Sequence, residues 1–197
     1  MTMSLLNKKK YEGACALFYD YEIRNKEGKL IKKQKLTESK SFVKAFIQIL
    51  HRQFTYTSVS IIDTGNISRT SMPYYIETTE NAGSINKGLI VGTGTDAVTI
   101  NDYKLQTTIS NGTTAGKLQY GASTMATPAF TSTTGSMILT RVISNNSPGN
   151  ITINEIGIYA QTPPNAYYCC IARDIPTPII LAIGEQLTLN YTIGVTI

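Results

Sequence analysis

Tryptophan is absent from this 197-residue chain, histidine occurs once and cysteine three times. Each shortage removes a class of chemistry. A hydrolytic triad or a zinc site needs imidazoles, thiolates and carboxylates that converge, and the lone His51 has few partners to converge with. Near the end of an expected helix, it reads as a capping or packing residue. Cys15, Cys169 and Cys170 lack the paired spacing of a zinc site, and an odd, sparse count fits a reducing compartment. Cys169 and Cys170 are adjacent, and neighbouring strand residues point to opposite faces, so they do not form one site. Clefts that cleave sugars stack the rings on aromatic faces. The missing tryptophan therefore argues against a glycan hydrolase, as do thirteen acids scattered along the chain without paired spacing. No run approaches the roughly 20 apolar residues of a membrane span. Residues 1–10 show no apolar stretch of signal-peptide kind ahead of their lysines. No enzyme activity, cofactor, metal, small-molecule substrate or membrane association is expected.

Charge is also scarce, at 16% of residues, while hydrophobic residues make up 42% and mean hydropathy is −0.07. Thr, Ser, Asn, Ile and Tyr fill the gap, a mixture suited to pleated strands and polar turns. The charge that exists is uneven. Residues 1–57 carry twelve Lys or Arg against five acids, an excess of seven, in a chain whose net charge is +5. Lys8, Lys9, Lys10, Lys32, Lys33 and Lys35 form a candidate docking patch for an acidic neighbouring protein. An equal reading is an edge strand whose lysines prevent sticking. Nucleic acid is not favoured, because no strand interleaves basic and aromatic residues for it.

Residues 14–24 and 29–36 read as a hairpin around Asn25-Lys26-Glu27-Gly28. Thr37-Glu38-Ser39 offers cap residues, and Phe42, Val43, Phe46, Ile47, Leu50 and Phe54 predict one amphipathic helix near residues 40–54 with that stripe buried. Strands are expected at 58–62, less clearly at 66–75, at 89–91, and within 117–120 and 125–130. The last third is clearest, with strands over 136–144, 151–160, 167–174 and 186–197. The expected fold is mainly β, an antiparallel β-sandwich of Greek-key or jelly-roll kind with one helix. Residues 1–197 form a single domain in this reading, with 1–57 a basic hairpin-plus-helix element and 58–197 the main sandwich.

Two places in this β pattern invite chemistry. Gly92-Thr93-Gly94 follows a strand but lacks the Gly-Lys-Ser/Thr ending of a phosphate loop and the third glycine of a dinucleotide fingerprint, so a tight turn or bulge is expected. Glu155 stands mid-strand among apolar residues, where an ionised acid is expensive unless paired. Arg141 and Arg173 in the flanking strands are its natural partners, and a structural ion pair between Glu155 and one of them is expected.

Gly88-Leu89-Ile90-Val91-Gly92-Thr93-Gly94-Thr95-Asp96, with Asp102-Tyr103-Lys104-Leu105 and Ile109, resembles the G-T-G-T…D-x-x-L stretch of small virion structural proteins of tailed phages. Blocks similar to Ile151–Tyr159 and to Ile171–Ile175 with Gly184–Ile193 follow in the same order. The resemblance covers roughly residues 85–197. It implies a β-rich virion subunit without catalytic residues, assembled in the host cytoplasm, forming a homo-oligomer and contacting capsid, neck or tail subunits. A glycan- or receptor-binding module of a phage adhesion apparatus is the alternative.

Overall fold

The computed structural model describes residues 15–39 and 41–196. Thirteen strands and one helix follow in order: β1 (Cys15–Arg24), β2 (Leu30–Ser39), α1 (Lys44–Thr55), β3 (Val59–Ile62), β4 (Ser68–Ser71), β5 (Gly88–Gly92), β6 (Gln119–Met125), β7 (Ala129–Phe130), β8 (Thr134–Ser144), β9 (Ile151–Ile153), β10 (Glu155–Thr162), β11 (Tyr167–Asp174), β12 (Ile179–Leu181) and β13 (Gln186–Thr196). The chain is mainly β, and its strand pairs are antiparallel.

The large sheet runs β2-β1-β13-β8-β6, with β7 also on β8, and a smaller sheet runs β11-β10-β5. Residues from both, including Leu17, Tyr21, Leu139 and Leu189 from the first and Leu89, Val91, Ile156 and Ile158 from the second, meet in one apolar cluster. That is the sandwich core. Leu187, Leu189 and Tyr191 of β13 are buried, as their alternation with polar residues requires. β10 is buried on both faces, because β11 and β5 flank it and a second small cluster of Val43, Ile90, Leu105, Tyr159 and Cys170 covers its outer side. The two adjacent cysteines are split between these clusters, Cys169 in the main core and Cys170 in the second. Both are free, and burial pushes the Cys169 thiol up to about 12.

β1 pairs with β13 over ten residues, Cys15 against Val195 to Arg24 against Gln186, so the N-terminal hairpin lies inside the large sheet. The helix starts at Lys44, and its N-cap is Val43, with no side-chain cap bond. Thr37, Glu38 and Ser39, expected as cap residues, end β2 instead. The expected stripe is also rotated. Val43 is buried and Phe42 and Phe46 are half-buried, but Ile47, Leu50 and Phe54 are exposed while Ala45, Ile49 and Arg52 face inward.

The run expected as one strand over 151–160 breaks at Asn154 into β9, paired with β12, and β10, paired with β5 and β11. Asn154 is held out of both by its backbone N–H on the Gly92 carbonyl at 2.9 Å and its side chain on the Thr93 carbonyl at 3.1 Å. β12 lies after Pro176 and Pro178, between the strands expected over 167–174 and 186–197.

Candidate functional site

Glu155 opens β10 opposite Gly92 of β5, so its side chain emerges where β5 runs out into the loop 93–108. Its Oε1 accepts the backbone N–H of Gly94 at 2.9 Å and of Thr107 at 2.8 Å. Its Oε2 accepts the N–H of Gln106 at 3.0 Å and Nε of Arg173 at 3.0 Å. Arg173, on the adjacent strand β11, donates Nη1 to Asp102 Oδ2 at 2.8 Å and Nη2 to the Asp96 carbonyl at 3.0 Å. Asp102 in turn accepts the Thr99 N–H at 3.0 Å and the Thr99 hydroxyl at 2.8 Å. Burial alone would raise Asp102, but the Arg173 guanidinium and the Thr99 donors outweigh it and hold this acid below the usual carboxylate range.

Glu155 is 0% and Arg173 2% exposed. A carboxylate with four donors has its lone-pair sites filled, so Glu155 offers nothing to a substrate. It is a clamp that binds the loop 93–108 to the small sheet. The loop glycines are explained by it, since a Cβ on Gly92 would come within 2.5 Å of Glu155 Oε1, and one on Gly94 within 2.6 Å. Gly92-Thr93-Gly94 was expected to be only a turn or bulge. Its amide does cradle an anion, and that anion is the protein's own side chain. Beneath the clamped loop, the Leu105 N–H donates to the Tyr159 hydroxyl at 2.7 Å, and a Cβ on Gly157 would meet Leu105 Cδ2 at 2.9 Å. Leu105 thereby closes the second core over β10.

Arg141 does not join this pair. It lies across the sandwich on β8, with its guanidinium over the Tyr120 ring at 4.8 Å. Nε donates to the Gly121 carbonyl at 2.9 Å, Nη1 to Leu89 at 3.0 Å and Nη2 to Ser84. Arg52, which sequence reasoning did not single out, behaves alike. Its Nη1 donates to Ser71 Oγ and to the Met72 carbonyl at 2.5 Å, and Nη2 to the Tyr75 carbonyl at 2.7 Å. Its signal was its inward position on the helix, masked by the assumption that the bulkier apolar residues would face in.

A second polar cluster sits one residue from the clamp. Asp174 Oδ2 accepts the hydroxyls of Ser39 at 2.7 Å, Ser41 at 2.8 Å and Tyr191 at 2.7 Å. Burial pushes this carboxyl up, and the three hydroxyls offset that only in part. It ties β2 and the start of the helical crossover to both sheets.

In the lysine patch, Lys33 contacts Glu22 at 2.5 Å and Lys32 lies over the Tyr21 ring at 5.6 Å, while Lys35 is exposed. Lys8, Lys9 and Lys10 lie outside the described residues. β2 slips register against β1 twice, between Tyr19 and Tyr21 and between Ile23 and Arg24. Bulges and lysines together blunt a sheet edge, so on β2 the geometry favours edge protection. His51 is exposed on α1, and among the described residues no three His, Cys, Asp or Glu side chains gather as a metal would require. No described helix is long and apolar enough to cross a membrane.

The chain matches no family model, no curated protein and no solved structure. Its functional reading therefore rests on its own residues.

Proposed function

We propose that this protein is a structural subunit of a tailed-virus particle, acting by protein–protein assembly on the head surface or at the neck or tail. The observation that carries the reading is the contrast between polar groups that satisfy one another internally and an outer surface rich in uncharged apolar side chains. Phe54 is 83% exposed, Tyr56 72% and Tyr74 64%, and Tyr75 and Leu50 are exposed as well. Arg52 draws residues 72–75 to the last turns of α1, because it holds the Met72 and Tyr75 carbonyls. Exposed aromatic clusters of this kind serve as association surfaces. Many copies would add weak contacts into firm attachment.

Three further points support the reading. The blocks that resemble virion proteins supply the Glu155–Arg173 clamp and its glycines, so they build a rigid scaffold. Among the described acids, Glu155 and Asp102 are consumed by structure, which leaves no acid and base poised together there. The sandwich also presents most of its strand edges covered. Residues 41–43 pair along β11, residues 107–109 along β5 and Glu80 along β6. Open strand addition is thereby suppressed in favour of side-chain surfaces.

Localising the tagged protein in images of intact particles tests the proposal. Regular density at the head, neck or tail is the expected result. Absence from purified particles, or turnover of a substrate abolished by neutralising one acid, would overturn it. The glycan- or receptor-binding reading draws on the exposed Tyr74 and Tyr75, whose rings could stack on sugars. Binding of the isolated chain on a glycan array would favour that alternative.

A further inference from the structure

The helix α1 spends its apolar residues in an unusual direction. Ile47, Leu50 and Phe54 are 58%, 39% and 83% exposed, and spacings of three and four place them along one ridge. The ridge cannot roll inward, because Arg52 fixes the helix rotation. Its guanidinium is buried and donates to the Met72 and Tyr75 carbonyls, and Ala45 and Ile49 fill the inner face beside it. Turning the ridge toward the core would pull a charged group off its carbonyls into apolar surroundings, which is costly. The exposed ridge is therefore enforced by the fold.

We propose that two copies of this chain pair through this ridge, their α1 helices meeting antiparallel across a two-fold axis. The inference rests on the assembly reading and names the partner of one of its surfaces. Charge selects a second copy as the occupant. The chain carries +5 overall, so two copies repel unless they meet where charge is missing. Between residues 45 and 62 the only Lys, Arg, Asp or Glu is the buried Arg52, and residues 70–76 hold none. Such a surface is complementary to itself. An anionic partner such as nucleic acid would gain nothing from it, lacking cations to contact.

Geometry agrees with a two-fold contact. A 12-residue helix is about 18 Å long. In an antiparallel pair Leu50 lies near the axis, and Phe54 of one copy meets Ile47 of the other, each contact made twice.

Sedimentation equilibrium on the full chain tests this, from about 1 to 100 µM, a range that brackets weak subunit contacts. A concentration-dependent dimer is expected. Leu50→Lys, which sets two cations at the axis, and Phe54→Ser should each weaken it at least about tenfold, the equivalent of roughly 1.4 kcal/mol. Leu50→Met should keep it. Ile183→Ser, at a residue 59% exposed elsewhere, should also leave it intact. Thermal melts of the Leu50 and Phe54 variants at 1 µM should match the parent, since neither side chain is buried.

A chain that stays monomeric throughout the range overturns the pairing. So does a dimer indifferent to both ridge variants. Deleting residues 1–14 discriminates the remaining occupant: a monomer that dimerises only after this deletion means that the chain's own N-terminal segment covers the ridge, and the pairing in the full chain is then refuted. Particle co-purification is scored separately. A monomer that still co-purifies with particles refutes the pairing and leaves the assembly reading standing. A ridge-dependent dimer absent from particles upholds the pairing and removes the assembly reading.

Discussion

Arg173 and Asp174 are consecutive in β11 and point to opposite faces, and they solve the problem of a buried ionisable group in opposite ways. Arg173 meets two carboxylates, Glu155 and Asp102, in a cluster where one guanidinium is shared between them and backbone amides take up the remaining lone pairs. Asp174 meets only hydroxyls, those of Ser39, Ser41 and Tyr191, and no cation pairs with it among the described residues. The first arrangement is rigid and specific: it holds a loop in one register and tolerates no Cβ at Gly92 or Gly94. The second is a polar joint between layers, and it is most comfortable when the acid is neutral. A buried ion pair is therefore used here for loop placement, and a buried acid held by hydroxyls for layer attachment.

The sharpest way to break that contrast is Glu155→Ala. It strands Arg173 beside a single carboxylate and orphans three loop amides, and a loss of about 3–5 kcal/mol is expected in urea unfolding. Amide exchange over residues 94–107 should speed up far more than over β13. Gly94→Ala comes next. Its Cβ would overlap Glu155 Oε1 and Gln106 Cβ, and a cost of about 3 kcal/mol is expected by thermal melting. Gly149→Ala, with nothing within 4 Å of the new Cβ, provides the neutral control.

Arg141→Lys probes an arginine held without any carboxylate. One ammonium cannot span the carbonyls of Gly121, Leu89 and Ser84, and leaving acceptors unpaired should cost about 2 kcal/mol.

The smallest effect is the most telling for the comparison, because the two acids should respond to pH with opposite signs. Asp174 has its folded value raised, so the native state holds its proton more tightly than the unfolded chain. Its stabilising contribution is present below the ordinary carboxylate range and is lost as pH rises through the raised value. Asp174→Asn should remove that loss and stabilise the protein at neutral pH by about 1 kcal/mol. Asp102 has its folded value lowered. Its contribution is present above the ordinary range and is lost as pH falls through the depressed value, so Asp102→Asn should flatten the acid limb of the stability profile. Urea titrations across pH 3 to 8 check both signs.

Much of this was legible before any coordinates. Charged residues inside apolar strand runs are rare enough that Glu155 and Arg173 stood out, and the alternation in β13 located a core strand. What could not be read was which arginine Glu155 would choose. Arg141 and Arg173 occupy equally suitable strands in the sequence, and only the sheet order, which puts β10 beside β11 and leaves β8 in the other layer, decides between them. The helix rotation was hidden for a related reason. Counting apolar residues favours burying Ile47, Leu50 and Phe54, whereas the carbonyls of Met72 and Tyr75, presented from a distant segment, reward burying Arg52 instead.

The sequence by itself determined the mainly β class, the helix near residues 40–54 and the hairpin turn at residues 25–28, because periodicity, β-branching and Gly or Asn turns act over a few residues. The tertiary structure alone decided that Asn154 breaks a strand between two sheets, that the glycines of residues 92–94 make room for Glu155, and that the helix leaves an apolar ridge exposed. Each depends on groups far apart in the chain meeting in space, where desolvation and hydrogen-bond geometry outweigh local preference.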